Sequence, residues 1–538
     1  MAEIGGETLK HKDKKSSIKI GIILTYVRLA IYLLLALFYP PYLLQMVGKV
    51  DNGLYQFSVA AISFVLLASF GIENTFVRFS VIAKEKDGDS GQAKINGFYL
   101  FLFGIIGIIE LLIGVIIAFL FKTNVFVIKE ATDGTSDKVF WLLLITALSF
   151  SSDFFLSIFS WYTYLKSRFA FMQISLLITH VVTIGLSFAV LFFGGGIIWV
   201  AIVSAIAQFL FDIVNAVYCF VALKMKISFP DRQEFSKTFK EVVVFSFFIF
   251  LTVVVSQINA NLGKTVLESA GDNSMVTVYS YGIQFYSYEA LISVAISDSF
   301  TPRVNELAIQ KKDQEVSSLF LLSSKLQMVV LLFIVGCFAA CGLDFISVWL
   351  AKSDLTSENL KQIFFLGLGF LLLWAIPLSE TVGLEIQKAN NKHKFLAVFN
   401  LFAALASVVI TVISVLFLPY DFKVYGPLIG MVVAVVLGMV VVSNIYYKKA
   451  LKLPIKEFLM YFGITSLITI LAWGVVFGVF GYVITLPNWL GGYFEVIVKA
   501  MVFMAIYLPL VFLLLRKEFN HWKASRKAAK EPSSKNSL

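Results

Sequence analysis

Charge is scarce in this chain: only 14% of its 538 residues are Asp, Glu, Lys or Arg, whereas 59% are hydrophobic. A soluble protein carries roughly 25% charged residues, so most of this surface must be apolar and its solvent must be lipid. Histidine and cysteine are scarcer still, with four and three copies. Cys219, Cys337 and Cys341 all lie inside apolar runs, which excludes a disulfide framework. Cys337 and Cys341 stand one helical turn apart, but with no His or carboxylate beside them they read as packing residues, not metal ligands. No metal site and no cofactor is expected. The chain also lacks a Walker loop, a His/Cys ligand cluster, a Gly-x-Ser-x-Gly elbow and any polar stretch long enough for a catalytic domain. The expectation is a protein that is not an enzyme and does not draw energy from bound ATP. The net charge of +10 does not point to nucleic acid, because the basic residues are scattered over many short loops and form no single patch.

What the chain has in quantity is long apolar runs. A hydrocarbon core about 30 Å thick needs about 20 apolar residues per helix, and fourteen runs reach that length: residues 20–44, 54–79, 96–121, 139–163, 169–193, 197–223, 241–262, 275–300, 318–341, 361–385, 395–418, 424–447, 459–482 and 492–515. The first has no small-residue cleavage site after it and is too long for a signal-peptide core, so it reads as a retained helix. With the N-terminus placed inside, the inner segments hold 32 Lys and Arg and the outer loops 8. Cytoplasmic loops are the basic ones, and losing one span would scramble the alternation, so both termini are expected in the cytoplasm. Trp141, Trp199, Trp349 and Trp489 fall at expected outer ends, where interfacial anchors belong.

An internal repeat runs at an offset of 225 residues: Glu73 and Arg78 at the inner end of span 2 match Asp298 and Arg303 at the inner end of span 8. At offset 226, Lys166, Arg168 and Phe169 match Lys392, Lys394 and Phe395. Two matches at the same topological place indicate a duplicated six-helix unit. Six is even, so the copies enter the membrane in the same sense, as in parallel-repeat transporters. The expected organisation is an all-α integral membrane protein with two six-helix lobes related by pseudo-twofold symmetry. It comprises a cytoplasmic tail (1–19), an N-lobe (20–223), a cytoplasmic linker (224–240), a C-lobe (241–447), two extra C-terminal helices (459–515) and a basic cytoplasmic tail (516–538).

Ionisable groups within the spans carry the functional question, since a charge at mid-bilayer costs at least a few kcal/mol and needs a cavity, a partner or a task. Arg28 lies a third of the way into span 1 with no carboxylate within a turn, so a cavity, another helix or an anionic ligand has to satisfy it. Glu110, Asp153, His180, Asp212 and Glu289 fall near the middles of spans 3, 4, 5, 6 and 8; span 7 ends with Gln257, Asn259 and Asn261, followed by Lys264. The four acids are candidates for ion coupling or for pairing with cations, and His180 reads as a neutral core residue. Lys325 and Glu380 lie in the inner thirds of spans 9 and 10, and Lys325 either snorkels to the inner surface or faces a cavity. Glu73–Arg78 and Asp298–Arg303 are either local ion pairs or substrate contacts. Lys499, four residues from Glu495, reads as an intrahelical pair.

The stretch FGIENTFVRF (70–79) resembles the span-2 signature of the polysaccharide transporter family, which includes the Wzx-type oligosaccharide flippases. The stretches FSFFIFLTVVVSQINANLGKTVLESAG and VYSYGIQFYSYEALISVAISDSFTPRV resemble that family's spans 7 and 8, and GLEIQKANNKHKFLAVFN (383–400) is similar to its loop between spans 10 and 11. The resemblance implies the fold of the multidrug, oligosaccharidyl-lipid and polysaccharide exporter superfamily, with two lobes facing a central cavity. It further implies a flippase that moves an undecaprenyl-diphosphate-linked oligosaccharide (an O-antigen, capsule or exopolysaccharide repeat unit) from the inner to the outer leaflet of a bacterial cell membrane. Arg28 is the cavity cation carried over from the superfamily's lipid II flippases, with Lys264, Lys325, Arg78 and Arg303 as further cationic candidates. Where family members often have an acid after the span-7 Gln/Asn cluster, this chain has Gly263–Lys264. The implied partners are the lipid-linked oligosaccharide and the membrane, with a polysaccharide polymerase and glycosyltransferases as further candidates. The rival readings are an ion-coupled multidrug exporter of the same fold and a membrane scaffold for polysaccharide assembly.

Overall fold

The computed structural model describes residues 2–69, 71–123, 125, 134–270, 273–310, 312–390, 392, 394–483 and 492–528. Among these residues the chain is helical almost throughout and contains no strand. In lipid every backbone N–H and C=O must be satisfied within the segment itself, and a helix does that without an exposed edge. The helices are α1 (Ala2–Val65), α2 (Phe76–Lys122), α3 (Thr135–Leu165), α4 (Phe169–Phe192), α5 (Ile197–Val221), α6 (Arg232–Ser269), α7 (Asn273–Ile309), α8 (Asp313–Trp349), α9 (Ser357–Ser379), α10 (Thr381–Ala389), α11 (Lys394–Phe417), α12 (Gly426–Val433), α13 (Ser443–Ala450), α14 (Ile455–Gly478) and α15 (Gly492–Ala528).

Eleven described helices are long and apolar enough to cross a membrane, and α6, bent by 48°, makes a twelfth. The other two of the fourteen spans are accounted for by local chemistry. Spans 1 and 2 run together as α1 through a break at Gly48, whose φ of 79° lies in the region favoured by glycine. Span 8 is α7, diluted by Ser, Tyr, Gln and acidic residues along its length. Trp489 and most of the outer loop 122–138 lie outside the described residues. Trp141 and Trp199 are 49% and 58% exposed, as interfacial anchors require; Trp349 is buried.

Three spans expected as continuous helices are interrupted. Span 2 leaves α-geometry at residue 66, passes through 3-10 turns at Leu66–Ser69 and Ile72–Thr75, and resumes as α2. Gly71 between the turns is left-handed at φ 64°, ψ 18°. Span 10 breaks between α9 and α10 at Glu380, three residues after Pro377, whose ring removes a helical donor. Span 12 carries a π-helical stretch, Ala434–Val442, between α12 and α13.

The chain divides into two compact units. The first comprises residues 1–291, 350–367 and 391–443, the second 292–349, 368–390 and 444–538. In the first, α2 and α3 meet along an aromatic ladder: Tyr99 stands edge-on to Phe76, Phe98 and Phe103, and Phe103 packs on Phe154. Small residues let the backbones close, as is usual for helices in lipid. Ser151 Oγ donates to the Gly107 carbonyl at 2.6 Å, and Gly114 abuts Ala147. In the second unit, α8 packs against α14 and α15. Gly336 admits Phe503 and Thr469, and the Tyr507 hydroxyl donates to the Val329 carbonyl at 2.8 Å. Lys499 makes the expected pair with Glu495 at 2.6 Å, and Asp344 of α8 joins it at 2.6 Å.

Candidate functional site

Three polar groupings of the first unit stand out against its apolar packing. The first surrounds Arg28 on α1. Its Nε donates to Gln173 Oε1 of α4 at 2.7 Å, and among the described residues no carboxylate pairs with it. Tyr32, one turn along α1, packs at 5.5 Å from His180 of α4 and at 6.4 Å from Tyr288 of α7. Tyr288 in turn is hydrogen-bonded by Gln284. A half-buried guanidinium thus sits among phenols, an imidazole and carboxamides: donors for an anion and aromatic faces for sugar rings. The i, i+4 spacing of Arg28 and Tyr32 was visible in the sequence; Gln173, Gln284 and Tyr288 come from distant spans and carry no local signal.

The second grouping is the polar end of α6. Asn261 Nδ2 donates to Gln257 Oε1 at 2.7 Å, and Lys264 Nζ donates to Gln56 Oε1 of α1 at 3.1 Å. Asn259 is buried, with its Oδ1 unpartnered. Gly263 lets the ring of Tyr279 lie directly against the helix, where any Cβ would collide. No contact joins this grouping to Arg28 among the described residues.

The third is acidic. Asp153 of α3 accepts from Gln208 Nε2 of α5 at 2.7 Å, and Asp212, one turn further along α5, is buried with neither carboxylate oxygen hydrogen-bonded. Glu110 of α2 is 3% exposed, with neither oxygen hydrogen-bonded, and it feels both Glu73 and Asp153 electrostatically. A cavity of about 260 Å³ opens beside Asp153, with Tyr55, Thr146, Ser149, Ser204 and Gln208 in its walls. Uncompensated buried carboxylates cost several kcal/mol each unless a proton or a cation neutralises them. The sequence marks Glu110, Asp153 and Asp212 as candidate acids and leaves Glu73–Arg78 as either a local ion pair or a substrate contact. Among the described residues Glu73 and Arg78 form no ion pair, and the Arg78 guanidinium lies over the Phe245 ring at 4.1 Å.

The remaining candidates stand apart. Glu289 of α7 is 1% exposed, with both oxygens unpartnered and Tyr286 as its electrostatic neighbour. In the second unit Lys325 is 9% exposed, with its ammonium 3.6 Å from the centre of the Tyr461 ring. Arg303 does not pair with Asp298; it binds Glu306 at 2.7 Å and Glu315 at 3.2 Å. Its guanidinium holds the Glu306 carboxyl below the usual range. Glu380, at the break between α9 and α10, is buried and accepts from Asn444 Nδ2 at 3.3 Å, with its second oxygen unpartnered. The sequence places Glu380 within span 10, and Pro377 is the one local hint of a break, without marking Glu380 as its position.

The first unit thus combines a cationic grouping beside aromatic rings with a separate buried acid cluster, within a multi-span helical protein. The solved structures it matches agree on the fold. It is similar to the lipid II flippase MurJ in an inward closed conformation, at 17% identity over 94% of this chain and 99% of that one, with a TM-score of 0.66. It is similar to an inward-facing multidrug resistance MATE family transporter of the MOP superfamily, at 14% identity over 82% and 99%, TM-score 0.60. A MOP superfamily transporter from Pyrococcus furiosus, described as having a binding pocket of reversed polarity, matches at 15% identity over 82% and 97%, TM-score 0.58. No curated protein sequence matches. The family model described as polysaccharide biosynthesis protein matches residues 18–304, more than half of the chain. This chain belongs to that polysaccharide biosynthesis family, on a MOP-type fold.

Proposed function

We propose that the protein is a flippase that moves an undecaprenyl-diphosphate-linked oligosaccharide from the inner to the outer leaflet of a bacterial cell membrane. Both of its termini lie in the cytoplasm, and its two six-helix lobes, 20–223 and 241–447, work by alternating access. The observation that carries this reading is Arg28: a guanidinium within a membrane span, hydrogen-bonded to neutral Gln173 and left without a carboxylate among the described residues. A diphosphate fits such a group by charge-assisted hydrogen bonds, and Tyr32 and Tyr288 offer flat faces to a pyranose. Lys264, Lys325, Arg78 and Arg303 are the further cations available to the headgroup along its path. The family assignment and the likeness to a lipid II flippase support a lipid-linked sugar as cargo. Glu110, Asp153, Asp212 and Glu289, with Gln257, Asn259 and Asn261, are the groups for ion coupling, because a buried acid that binds a proton or cation in one conformation and releases it in another ties transport to a gradient. A polymerase and glycosyltransferases are the partners that would consume and supply such a cargo.

The acid cluster also suits an ion-coupled exporter of cationic drugs, and the two readings part at Arg28. Arg28→Ala removes the diphosphate contact, so movement of the lipid-linked sugar fails, whereas efflux of a cationic dye from the same vesicles does not. Sugar movement that survives Arg28→Ala, together with dye efflux by the wild type, would favour the exporter.

A further inference from the structure

The first unit holds a second polar cavity, of about 130 Å³, at the level where α3 and α5 end, and the proposed transport does not use it. Its floor is Gln92, Asn96 and Tyr162, all 5% exposed or less. Three lysines, Lys166, Lys224 and Lys226, stand around the floor.

Separate chain segments build the arrangement. At the end of α3, Lys166 Nζ donates to Gln92 Oε1 at 2.8 Å and rests 5.0 Å from the centre of the Tyr162 ring. The segment after α5 is tied to α2. Ser228 N–H donates to the Ala93 carbonyl at 3.0 Å, and Asn96 Nδ2 donates to the Lys226 carbonyl at 2.9 Å. Gly97 is required where Ser228 passes, because a Cβ there would run into its carbonyl. These ties fix Lys224, held at φ 49°, and Lys226 at the cavity. Neither ammonium has an ion-pair partner among the described residues. Asp89, the carboxylate at the rim, is paired with Lys84 at 3.8 Å. Burial, and then the charge of Lys84, push the Lys166 ammonium below the usual lysine range, against a smaller opposing pull from Asp89. Asn96 Oδ1 is buried and unpartnered, so the floor has room for an O–H or a water.

We propose that this cavity binds a phosphate group, either on the headgroup of an anionic lipid or free in solution. Three ammonium groups over a polar floor match phosphate charge, and basic pockets at the ends of membrane helices are where anionic headgroups dock. The site does not depend on what the protein transports.

The test is binding by the full chain in nanodiscs, with lipid retention and the thermal unfolding midpoint as readouts. The lipid arm compares phosphatidylglycerol or cardiolipin with phosphatidylcholine. The solution arm compares inorganic phosphate with chloride at equal ionic strength in phosphatidylcholine discs. The variants are the triple Lys166→Gln, Lys224→Gln, Lys226→Gln, and the milder double Lys224→Gln, Lys226→Gln, whose side chains are exposed. The control is the triple Lys448→Gln, Lys449→Gln, Lys452→Gln at another basic segment. Each lysine near an anionic headgroup contributes roughly fivefold, so the wild type should prefer the anionic species by at least about tenfold. The cavity variants should lose that preference and the control should keep it. Stabilisation in the lipid arm alone identifies a headgroup, and stabilisation by inorganic phosphate identifies the free ion. Equal preference in wild type and double variant, or equal loss in the control, would overturn the site.

Discussion

Gly71 is the residue on which the shape of span 2 turns, and Gly71→Ala is the perturbation to make. Its backbone is left-handed, at φ 64° and ψ 18°, a conformation that costs an L-residue with a Cβ roughly 1–2 kcal/mol. A Cβ would also lie 3.2 Å from Ile249 Cγ2 and 3.3 Å from the Phe250 backbone nitrogen. That is tight enough to push α6 by a few tenths of an ångström, and overpacking of this kind adds about 1 kcal/mol or more. The sum is a loss of about 2–3 kcal/mol. Gly134 supplies the control, since it is left-handed at φ 89° and ψ −5° but has nothing within 4 Å of a Cβ. Gly134→Ala should therefore cost the backbone part alone, about 1 kcal/mol. Denaturation of both variants in the same detergent, followed by tryptophan fluorescence and circular dichroism, gives the difference. Gly71→Ala should also lower transport more than its stability loss explains, because Glu73, two residues on, would move relative to Glu110 and Asp153. If Gly71→Ala proves no less stable than Gly134→Ala, the packing of the 3-10 break on α6 is not as described.

Lys499→Met leaves Asp344 and Glu495 facing each other across α8 and α15. The carboxylates are 35% and 41% exposed, so solvent screens them, and the loss should be about 1–2 kcal/mol in thermal unfolding, below the full cost of a buried pair. Ser151→Ala removes the bond to the Gly107 carbonyl and should cost about 0.6 kcal/mol, near the average for interhelical bonds in membranes. Asp153→Asn keeps an acceptor for Gln208 and takes one acid out of the cluster, so the protein should unfold at the wild-type temperature or above while transport loses its response to an imposed proton gradient; unchanged coupling would remove the acid cluster from the mechanism. The Arg303–Glu306 pair adds its stability above the ordinary Glu range near 4.3 and loses it as pH falls through the lowered Glu306 value. Amide exchange at the C-terminal end of α7 should therefore speed up in acid, and Arg303→Gln should abolish that change.

The spans were legible because lipid imposes a length and a charge rule that act on composition, and α4, α5 and α11 fall within a few residues of the apolar runs. What composition does not encode is a helix that breaks while remaining apolar. Leu66 to Ser69 reads as a continuous run, and the break comes from Gly71, whose left-handed backbone is a property of packing on α6. The break at Glu380 had Pro377 as a warning, but proline is common in membrane helices and does not say which residue is released. The acids show the same limit. Glu73 has Arg78 five residues away, a plausible local partner, yet its electrostatic neighbours, Glu110 and Asp153, come from other helices. Long-range pairing of this kind has no periodicity to betray it. Arg28 was the opposite case: the absence of a carboxylate within a turn was readable, and among the described residues the structure supplies only Gln173 as its hydrogen-bond partner.

The most direct test is leaflet-to-leaflet movement by the purified chain in proteoliposomes loaded on one face with a fluorescent undecaprenyl-diphosphate oligosaccharide, scored by access of a membrane-impermeant quencher. Movement at a rate well above that of empty liposomes, competed by excess unlabelled diphosphate-linked sugar and lost in Arg28→Ala, is the expected result. A sugar–lipid that stays in its original leaflet under either orientation of proton or sodium gradient would contradict the account.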